Sequence, residues 1–244
     1  MMALWGTLYG LGAGAGHREW LTLEADRILK QASVIALPTD SNRPGRAETI
    51  IASYLTPGKR VLRLHFPMTR DQGVLNQAWD KAADDVYPVL AEGVDVVFVT
   101  EGDPSLYSTF SYLAERIQVR WPAVPIRFLP GVSSVLAASA RWGHVLTQSQ
   151  ESLAIVSASH NLARVIQALD VCDTVIIVKV AAVFTQVYEL LQSRHLLSRT
   201  VYLSHIGWDN EEIVSDLGTL ISRKLPYMSL LIVKTTRLEQ GGRS

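Results

Sequence analysis

The chain alternates between short apolar runs and longer stretches in which apolar residues recur at helical spacing. The runs at 94–99 and 175–180 are nearly continuous and rich in valine and isoleucine, which is typical of strands buried on both faces of a sheet. A helix is predicted after Thr22, its N-cap, because apolar residues follow the i, i+3, i+4, i+7 pattern at Ala25, Ile28, Leu29 and Ala32. The repeated alternation of strand and helix predicts an α/β fold with right-handed crossovers.

The first half of the chain is predicted to form a parallel sheet. Its strands are placed at 4–11, 33–38, 61–66, 94–99 and 125–129. Its helices are placed after Thr22 and at 44–54, 72–92 and 132–142, with a further helix following the fourth strand. Pro88 predicts a kink or a break within 72–92, because proline removes a helical hydrogen bond. Gly143 is the expected C-terminal cap of the helix at 132–142.

The second half repeats this pattern without repeating the sequence. Its strands are placed at 153–156, 174–180, 201–206 and 228–234. Its helices are placed at 162–169, 184–194 and 213–222. The most polar connection between the halves is 147–150, and it predicts two domains, 1–146 and 150–244.

Composition excludes some function classes. Hydrophobic residues make up 48% of the 244 residues, which is enough for a sizeable core. Lys+Arg and Asp+Glu both number 23, so the net charge argues against a protein that binds nucleic acid or membrane surfaces by charge alone. The single cysteine, Cys172, cannot form an intramolecular disulfide and fits a reducing compartment. No stretch has the length of a membrane-spanning helix, and we expect a cytoplasmic protein.

Several common catalytic motifs are absent from the sequence. The six histidines form no pair with metal-ligand spacing, and only one cysteine is present, so no metal site is predicted. The sequence also contains neither a P-loop nor the GxSxG motif of the α/β-hydrolases. The candidate chemistry therefore has to come from other parts of the chain.

The stretch TEGDPSLYSTF at 100–110 is the strongest candidate site. It follows the apolar run at 94–99, and Asp103 and Pro104 predict a helix start, as N-cap and first helical residue. A strand end, a turn at Gly102 and a helix N-terminus would then meet, and ligands bind at such places in open parallel sheets. The alternative is a well-capped connection without chemistry.

A glycine-rich segment, GLGAGAG at 10–16, is the second candidate. It can be fitted to the dinucleotide fingerprint at Gly10, Gly12 and Ala15. That fingerprint requires a helix directly behind the glycines, but residues 17–20 intervene before the predicted helix. We therefore favour a glycine turn that lets a ligand approach the backbone.

Three further residues each keep two interpretations. Ser133 and Ser134 open a predicted helix, where they act either as caps or as ligand contacts. Lys179 ends an apolar run, and its side chain either extends into solvent or faces an anion in a cleft.

Five motifs follow one another along the chain. They are GLGAGAGHREWLTLEADRIL at 10–29, FPMTRD at 66–71, TEGDPSLYSTF at 100–110, LPGVSS at 129–134 and VIIVKV at 175–180. Together they resemble the tetrapyrrole methylase family, the class III methyltransferases that depend on S-adenosylmethionine. FPMTRD and GDPSLYSTF look most like one branch of that family, the precorrin-2 C20-methyltransferases of corrin (cobalamin) biosynthesis.

The resemblance implies an architecture and a set of ligands. It implies two α/β domains that face each other across a cleft, with a mostly parallel N-terminal sheet and a mixed C-terminal sheet. It also implies S-adenosylmethionine as methyl donor, folded between the domains, a tetrapyrrole substrate in the neighbouring trough, and a homodimer. Neither nucleic acid nor membrane is an implied partner.

The resemblance also assigns roles to individual positions. The cofactor contacts fall on Gly14, Ala15, Glu101, Gly102, Asp103, Leu106, Ser133, Ser134, Lys179, Tyr227 and Ser229. The expected substrate contacts are Met68, Arg70, Tyr107, Ser108, Thr109 and Lys179. Arg70 and Lys179 are the cations expected to bind substrate carboxylates. Asp103 and Tyr107 are the candidates for assisting loss of the C20 proton or for orienting the macrocycle.

Ala15 is a departure from the family pattern, which usually has proline at this position. Proline restricts the unfolded chain, so its absence makes this loop more flexible before folding. The expected consequence is a less ordered loop or weaker cofactor binding.

Three function classes remain open at this point. A methyltransferase is favoured, and the rivals are a nicotinamide-dependent oxidoreductase and a tetrapyrrole-binding module without catalysis. Within the favoured class, both the metal-free and the cobalt-loaded substrate are compatible with the sequence.

Overall fold

A computed structural model describes residues 5–40, 45–159 and 162–235. The chain divides into two compact units, Met1–Ser134 and Val135–Ser244. Each contains one five-stranded sheet with its helices, which confirms the predicted fold class. This division falls within the first turn of the helix predicted at 132–142, which the sequence assigned to the first domain. The boundaries 1–146 and 150–244 stay a prediction.

The sheet of the first unit is parallel throughout. Its strands are β1 (Leu8–Gly12), β2 (Val34–Thr39), β3 (Arg60–His65), β4 (Val96–Thr100) and β5 (Ile126–Leu129), in the spatial order β3-β2-β4-β1-β5. Every residue of β4 is buried, as expected of a central strand covered on both faces. The predicted starts of the first strand at Leu4 and of the second helix at Pro44 lie outside the described residues.

Four helices belong to the first unit. They are α1 (Leu23–Gln31), α2 (Arg46–Ile50), α3 (Gln72–Ala91) and α4 (Phe110–Arg120), with short 3₁₀ turns at Arg18–Trp20 and Ala52–Tyr54. The predicted cap of α1 is confirmed, because the Thr22 hydroxyl accepts a hydrogen bond from the Ala25 amide at 3.1 Å. Helix α3 continues through Pro88, so the prediction that the helix breaks at this residue is wrong. Pro88 lies near the end of the helix, where few hydrogen bonds depend on it, and its neighbours Val89 and Leu90 are buried.

The predicted start of α4 at Asp103 and Pro104 is also wrong. The helix begins at Phe110, and residues 101–109 form a loop. Tyr107 has a φ of 52°, which is left-handed and cannot continue a right-handed helix. The Asp103 carboxylate instead accepts hydrogen bonds from the loop and from a neighbouring connection, as described below.

Phe110 is the centre of an aromatic cluster in the first core. Its ring centroid lies 5.6 Å from that of Phe98 and 4.9 Å from that of Phe128. The same ring covers Gly10, where an added Cβ would lie 2.1 Å from Phe110 Cε1. Gly10 therefore leaves room for a core side chain, which gives this glycine a packing role separate from ligand binding.

The second unit contains a mixed sheet. In chain order its elements are α5 (Ser134–Trp142), β6 (Leu153–Ser157), α6 (Ala163–Val171), β7 (Thr174–Val178), α7 (Phe184–Ser193), β8 (Thr200–Ser204), β9 (Glu212–Val214) and β10 (Ser229–Lys234). The spatial order is β6-β7-β10-β8-β9, in which only the β6–β7 pair is parallel among the described strands. Gly143, with φ 75°, follows α5 and donates to the Ser139 carbonyl, which confirms the predicted cap.

The predicted helix at 213–222 is wrong. Its first residues belong to β9, which pairs antiparallel with β8 at the sheet edge. The Asp216 carboxylate then accepts from the Gly218 amide at 3.0 Å and starts a short 3₁₀ turn, Leu217–Leu220. Strand pairing with a distant segment overrides the local helical pattern here.

The first prediction concerns the aromatic cluster. Phe110→Ala should lower the free energy of unfolding by about 3–5 kcal/mol, because the fully buried ring is replaced by a cavity beside Gly10. Urea denaturation measures this change. Val119→Ala on the same helix is the control, since Val119 is 74% exposed and its loss should cost less than about 0.5 kcal/mol. Equal effects of the two substitutions would contradict this account of the core.

Candidate functional site

The candidate site lies where β1 and β4, neighbouring parallel strands, both end. The connections after these strands are joined by two backbone hydrogen bonds, from the Gly102 amide to the Gly14 carbonyl at 2.8 Å and from the Gly14 amide to the Gly102 carbonyl at 3.3 Å. The Ala13 amide also donates to the Thr100 carbonyl at 2.8 Å. The two predicted glycine-containing loops are therefore in direct contact.

A third loop, after β5, approaches this contact just as closely. A Cβ added to Gly131 would lie 2.3 Å from the Gly102 carbonyl oxygen, and one added to Gly12 would lie 2.6 Å from the same atom. No side chain fits at either distance. We call Gly12, Gly14, Gly102 and Gly131 the glycine junction.

Chain topology places this junction at a switch point of the sheet. The connection from β1 to β2 runs toward the β3 edge of the sheet, whereas the connection from β4 to β5 runs toward the β5 edge. Neighbouring connections that depart in opposite directions open a crevice, and ligands of open α/β sheets bind in that crevice. The junction lies at this switch point.

Asp103 ties the β4 loop to the β5 loop. One carboxylate oxygen accepts from the Ser105 amide at 2.8 Å and from the Ser105 hydroxyl, and the other accepts from the Gly131 amide at 2.9 Å. Partial burial alone would raise the pKa of Asp103, but these hydrogen bonds outweigh it and hold the pKa below its ordinary value. The carboxylate is thus an anion near neutral pH and a weak base.

Tyr107 and its neighbours form the outer part of the same loop. The Tyr107 side chain is 51% exposed, and its left-handed backbone is a conformation that costs about 1–3 kcal/mol and concentrates at functional sites. The Ser108 hydroxyl donates to Thr100 Oγ1 at 3.1 Å and accepts from the Phe110 amide at 3.1 Å. Ser108 therefore supports the loop, and Thr109 occupies the N-cap position of α4.

The remaining cofactor positions of the first unit adjoin the junction. Leu106 follows Asp103 in the loop and donates its amide to the Asp103 carbonyl at 3.3 Å. Ser133 Cα and Ser134 N each lie 3.9 Å from the place of a Cβ on Gly102. Ser133 is buried and Ser134 is exposed. These positions, which the sequence placed in separate motifs, are spatial neighbours.

Ala15 and the turn that follows it bear on the dinucleotide alternative. Ala15 is buried, at 3% exposure. The chain then forms the 3₁₀ turn Arg18–Trp20 before α1 begins at Leu23. A helix N-terminus therefore does not follow the glycines directly, which disfavours a pyrophosphate site.

Arg46 is a candidate that the sequence interpretation missed. Its guanidinium lies 3.8 Å from the Glu101 carboxylate, and Arg46 opens α2 after the end of β2. No local pattern marks this residue, because the ion pair joins segments that only the sheet order brings together. It adds a cation at the end of the sheet where the junction lies.

Met68 and Arg70 lie farther along the same end of the sheet. Both are exposed in the loop after β3, which is separated from β4 by β2. With strands spaced about 4.8 Å apart, this loop starts about 10 Å from the β4 loop.

The predicted residues of the second unit group at one end of its own sheet. Val178 pairs with Leu230, so Lys179 and Ser229 both lie where β7 ends and β10 begins. Lys179 is half-buried with a left-handed φ of 56°. The Ser229 hydroxyl donates to the Pro226 carbonyl at 2.8 Å, and the Ser229 amide donates to the Tyr227 carbonyl at 2.9 Å. Tyr227 is 48% exposed.

Among the described residues, no group of three or more His, Cys, Asp or Glu side chains could hold a metal ion. None of the described helices is both long enough and apolar enough to cross a membrane.

Comparison with known proteins agrees with the resemblance seen in the motifs. Residues 7–221 match the family model described as tetrapyrrole (corrin/porphyrin) methylases. The cobalt-precorrin-2 C(20)-methyltransferase of Salmonella typhimurium is 31% identical over 233 residues, covering 93% of this chain and 96% of that protein. The precorrin-2 C(20)-methyltransferase of a Sinorhizobium species is 26% identical, and the match covers 93% of this chain and 95% of that protein.

A solved structure shares the fold. The uroporphyrin-III C-methyltransferase of Thermus thermophilus, crystallised with S-adenosylhomocysteine, superposes with a TM-score of 0.65 at 21% identity, over 94% of this chain and 97% of that one. The family match, the relative above 30% identity and the shared fold all agree. The chain belongs to the tetrapyrrole methylase family.

Proposed function

We propose that this protein transfers a methyl group from S-adenosylmethionine to C20 of precorrin-2 or its cobalt-loaded form, a step of corrin biosynthesis. The observation that carries the proposal is the glycine junction, which brings the motifs at 10–16, 100–110 and 129–134 together at one switch point. The Salmonella relative, which matches nearly the full length, supports C20 as the methylated position.

The residues at the junction fit the chemistry of this cofactor. S-adenosylmethionine supplies a methyl group on a positively charged sulfur, so the group that accepts the methyl needs no activation by a metal. Glu101 and Asp103 offer carboxylates for ribose hydroxyls or an amino group. Gly14 and Gly102, both buried, bring the backbones of the two loops into direct contact. Ser133 and Ser134 adjoin Gly102 and complete the proposed contacts of the first unit.

Three residues of the second unit belong to the proposed cofactor set. Lys179, Tyr227 and Ser229 share one end of the second sheet. The half-buried Lys179 ammonium is also proposed to bind a substrate carboxylate.

Catalysis by these residues would consist mainly of positioning. Holding two reacting groups in line is worth effective molarities of about 10⁵–10⁸ M. A loop fixed by the Asp103–Gly131 and Ser108–Thr100 hydrogen bonds is suited to that task, because its geometry is set before ligands bind.

The geometry separates the roles of the two catalytic candidates. Asp103 is engaged by three hydrogen bonds and has a lowered pKa, so we assign it to holding the loop and orienting the cofactor. Tyr107 is a half-exposed residue of the same loop and is proposed to orient the macrocycle.

Substrate carboxylates require local cations in a chain whose net charge is zero. Arg70, which is exposed after β3, is the proposed cation at the outer end of the sheet, and Met68 lies beside it. Arg46, nearer to β4 and paired with Glu101, is a second cation at this end of the sheet.

The proposal further includes a homodimer located in the cytoplasm, and sedimentation velocity would measure the oligomeric state.

Gly131→Ala tests the cofactor site. The added Cβ would meet the Gly102 carbonyl at 2.3 Å and push the loops apart, so affinity for S-adenosylhomocysteine should fall about ten-fold or more in calorimetry. Gly73→Ala is the control, because a Cβ there meets only the Asp71 carboxylate at 3.2 Å and affinity for S-adenosylhomocysteine should not change.

NADH should not bind to the unmodified protein. NADH binding without S-adenosylhomocysteine binding would indicate a nicotinamide-dependent oxidoreductase instead.

Tyr107→Phe tests the substrate role of the loop. We expect turnover in a methyl-transfer assay on precorrin-2 and its cobalt form to fall far more than affinity for S-adenosylhomocysteine, because Tyr107 is half-exposed whereas the glycines of the junction at 12, 14 and 102 are buried. Unchanged turnover would remove Tyr107 from the mechanism.

The same assay on the unmodified protein tests the remaining alternative. Binding of the tetrapyrrole without any methyl transfer would identify a non-catalytic binding module.

Arg70→Ala tests the proposed carboxylate contact. The apparent KM for the tetrapyrrole should rise, and the difference from the unmodified protein should shrink at high salt, because salt screens an exposed ion pair. Arg164→Ala, an exposed arginine on α6, provides the same change in charge and should leave KM unaffected. An equal KM for both variants would exclude Arg70 from the substrate site.

A further inference from the structure

A cavity of about 300 Å³ in the first unit lies outside all positions assigned to cofactor or substrate. Its wall is formed by α1, by the segment from the 3₁₀ turn at Ala52–Tyr54 to Lys59, and by Arg18. Every side chain of this wall is polar or charged. Such a lining suits a small hydrophilic ligand and is unsuited to an apolar one.

Part of the charge in the cavity is already neutralised within the protein. The Asp26 carboxylate accepts from the Lys30 ammonium at 2.8 Å and from the Tyr54 hydroxyl at 2.6 Å. The hydrogen bond from Lys30, followed by that from Tyr54, lowers the pKa of Asp26, so the carboxylate stays ionised and paired. This network fixes α1 against the 3₁₀ turn and pairs the Asp26 carboxylate with Lys30 and Tyr54 inside the protein.

Two cations of the cavity remain unneutralised by any carboxylate. The Lys59 ammonium donates to the carbonyls of Leu29 and Lys30 at the end of α1, which uses two of its three N–H groups. Burial lowers the pKa of Lys59, and a neighbouring anion would offset that effect. Among the described residues, the Arg18 guanidinium forms no ion pair with a carboxylate, and it lines the same cavity close enough to Tyr54 to interact with it electrostatically.

Hydroxyl groups supply the remaining donors. Ser53 and Thr56 both line the cavity, and each hydroxyl can rotate to donate toward a ligand. A guanidinium, an ammonium and two hydroxyls from two chain segments thus line one cavity and can donate to one compact anion. Arginine binds phosphate oxygens through two parallel N–H groups, which an isolated lysine cannot do.

We propose that this cavity is a second ligand site, which binds a phosphate-type dianion through Arg18, Lys59, Ser53 and Thr56. The proposal does not depend on methyl transfer. Arg18 belongs to the 3₁₀ turn between β1 and α1, and Ser53, Thr56 and Lys59 belong to the connection that precedes β3. None of these four residues is assigned to the cofactor or to the tetrapyrrole.

Calorimetric titration of the full chain with inorganic phosphate, at constant ionic strength set with sodium chloride, tests this site. The unmodified protein should bind phosphate saturably, and Arg18→Ala should bind it about ten-fold more weakly, because a charge-assisted hydrogen-bond donor is lost. Arg18 is exposed, so the variant should fold normally, and circular dichroism verifies this.

Arg164→Ala is the matched control, since it removes an exposed arginine of the second unit and should leave phosphate affinity unchanged. Malonate provides a dicarboxylate of similar charge and should bind more weakly than phosphate. Absence of saturable phosphate binding, equal affinity in the Arg18 and Arg164 variants, or malonate binding as tight as phosphate binding would each overturn the proposal.

Discussion

The close approach of three loop backbones at the ends of β1, β4 and β5 is the constraint on which the rest of the first unit depends. A Cβ on Gly131 would lie 2.3 Å from the Gly102 carbonyl oxygen, and a Cβ on Gly12 would lie 2.6 Å from it. Neither position therefore has room for a side chain. Because the loop backbones are in direct contact, their hydrogen bonds set the positions of the loops relative to one another. A site built in this way is preorganised before any ligand enters.

Asp103 extends this constraint from backbone to side chain. Its carboxylate joins Ser105 in its own loop to Gly131 in the neighbouring loop, and the lowered pKa keeps it charged in that role. The loop can then leave Tyr107 exposed in a left-handed conformation that would otherwise be unfavourable. The same set of contacts therefore holds the proposed cofactor positions and presents the proposed substrate position.

Local signals in the sequence predicted local structure well. The Thr22 cap, the Gly143 cap and the continuous apolar strands depend on neighbouring residues, and each is confirmed. The helix start at Asp103 is wrong because the carboxylate has a partner 28 positions away in sequence, at Gly131. The helix at 213–222 is wrong because strand pairing with β8 decides the conformation of Ile213. Arg46 was missed for the same reason, since its pairing with Glu101 exists only once the strands are ordered.

Hydrogen exchange of the full chain, with and without S-adenosylhomocysteine, tests the role of the glycine junction most directly. The account predicts slower amide exchange in both 13–20 and 101–109 when the ligand is bound, and no change in 60–65, the strand at the far edge of the sheet. Ligand binding that leaves exchange in both loops unchanged would contradict it.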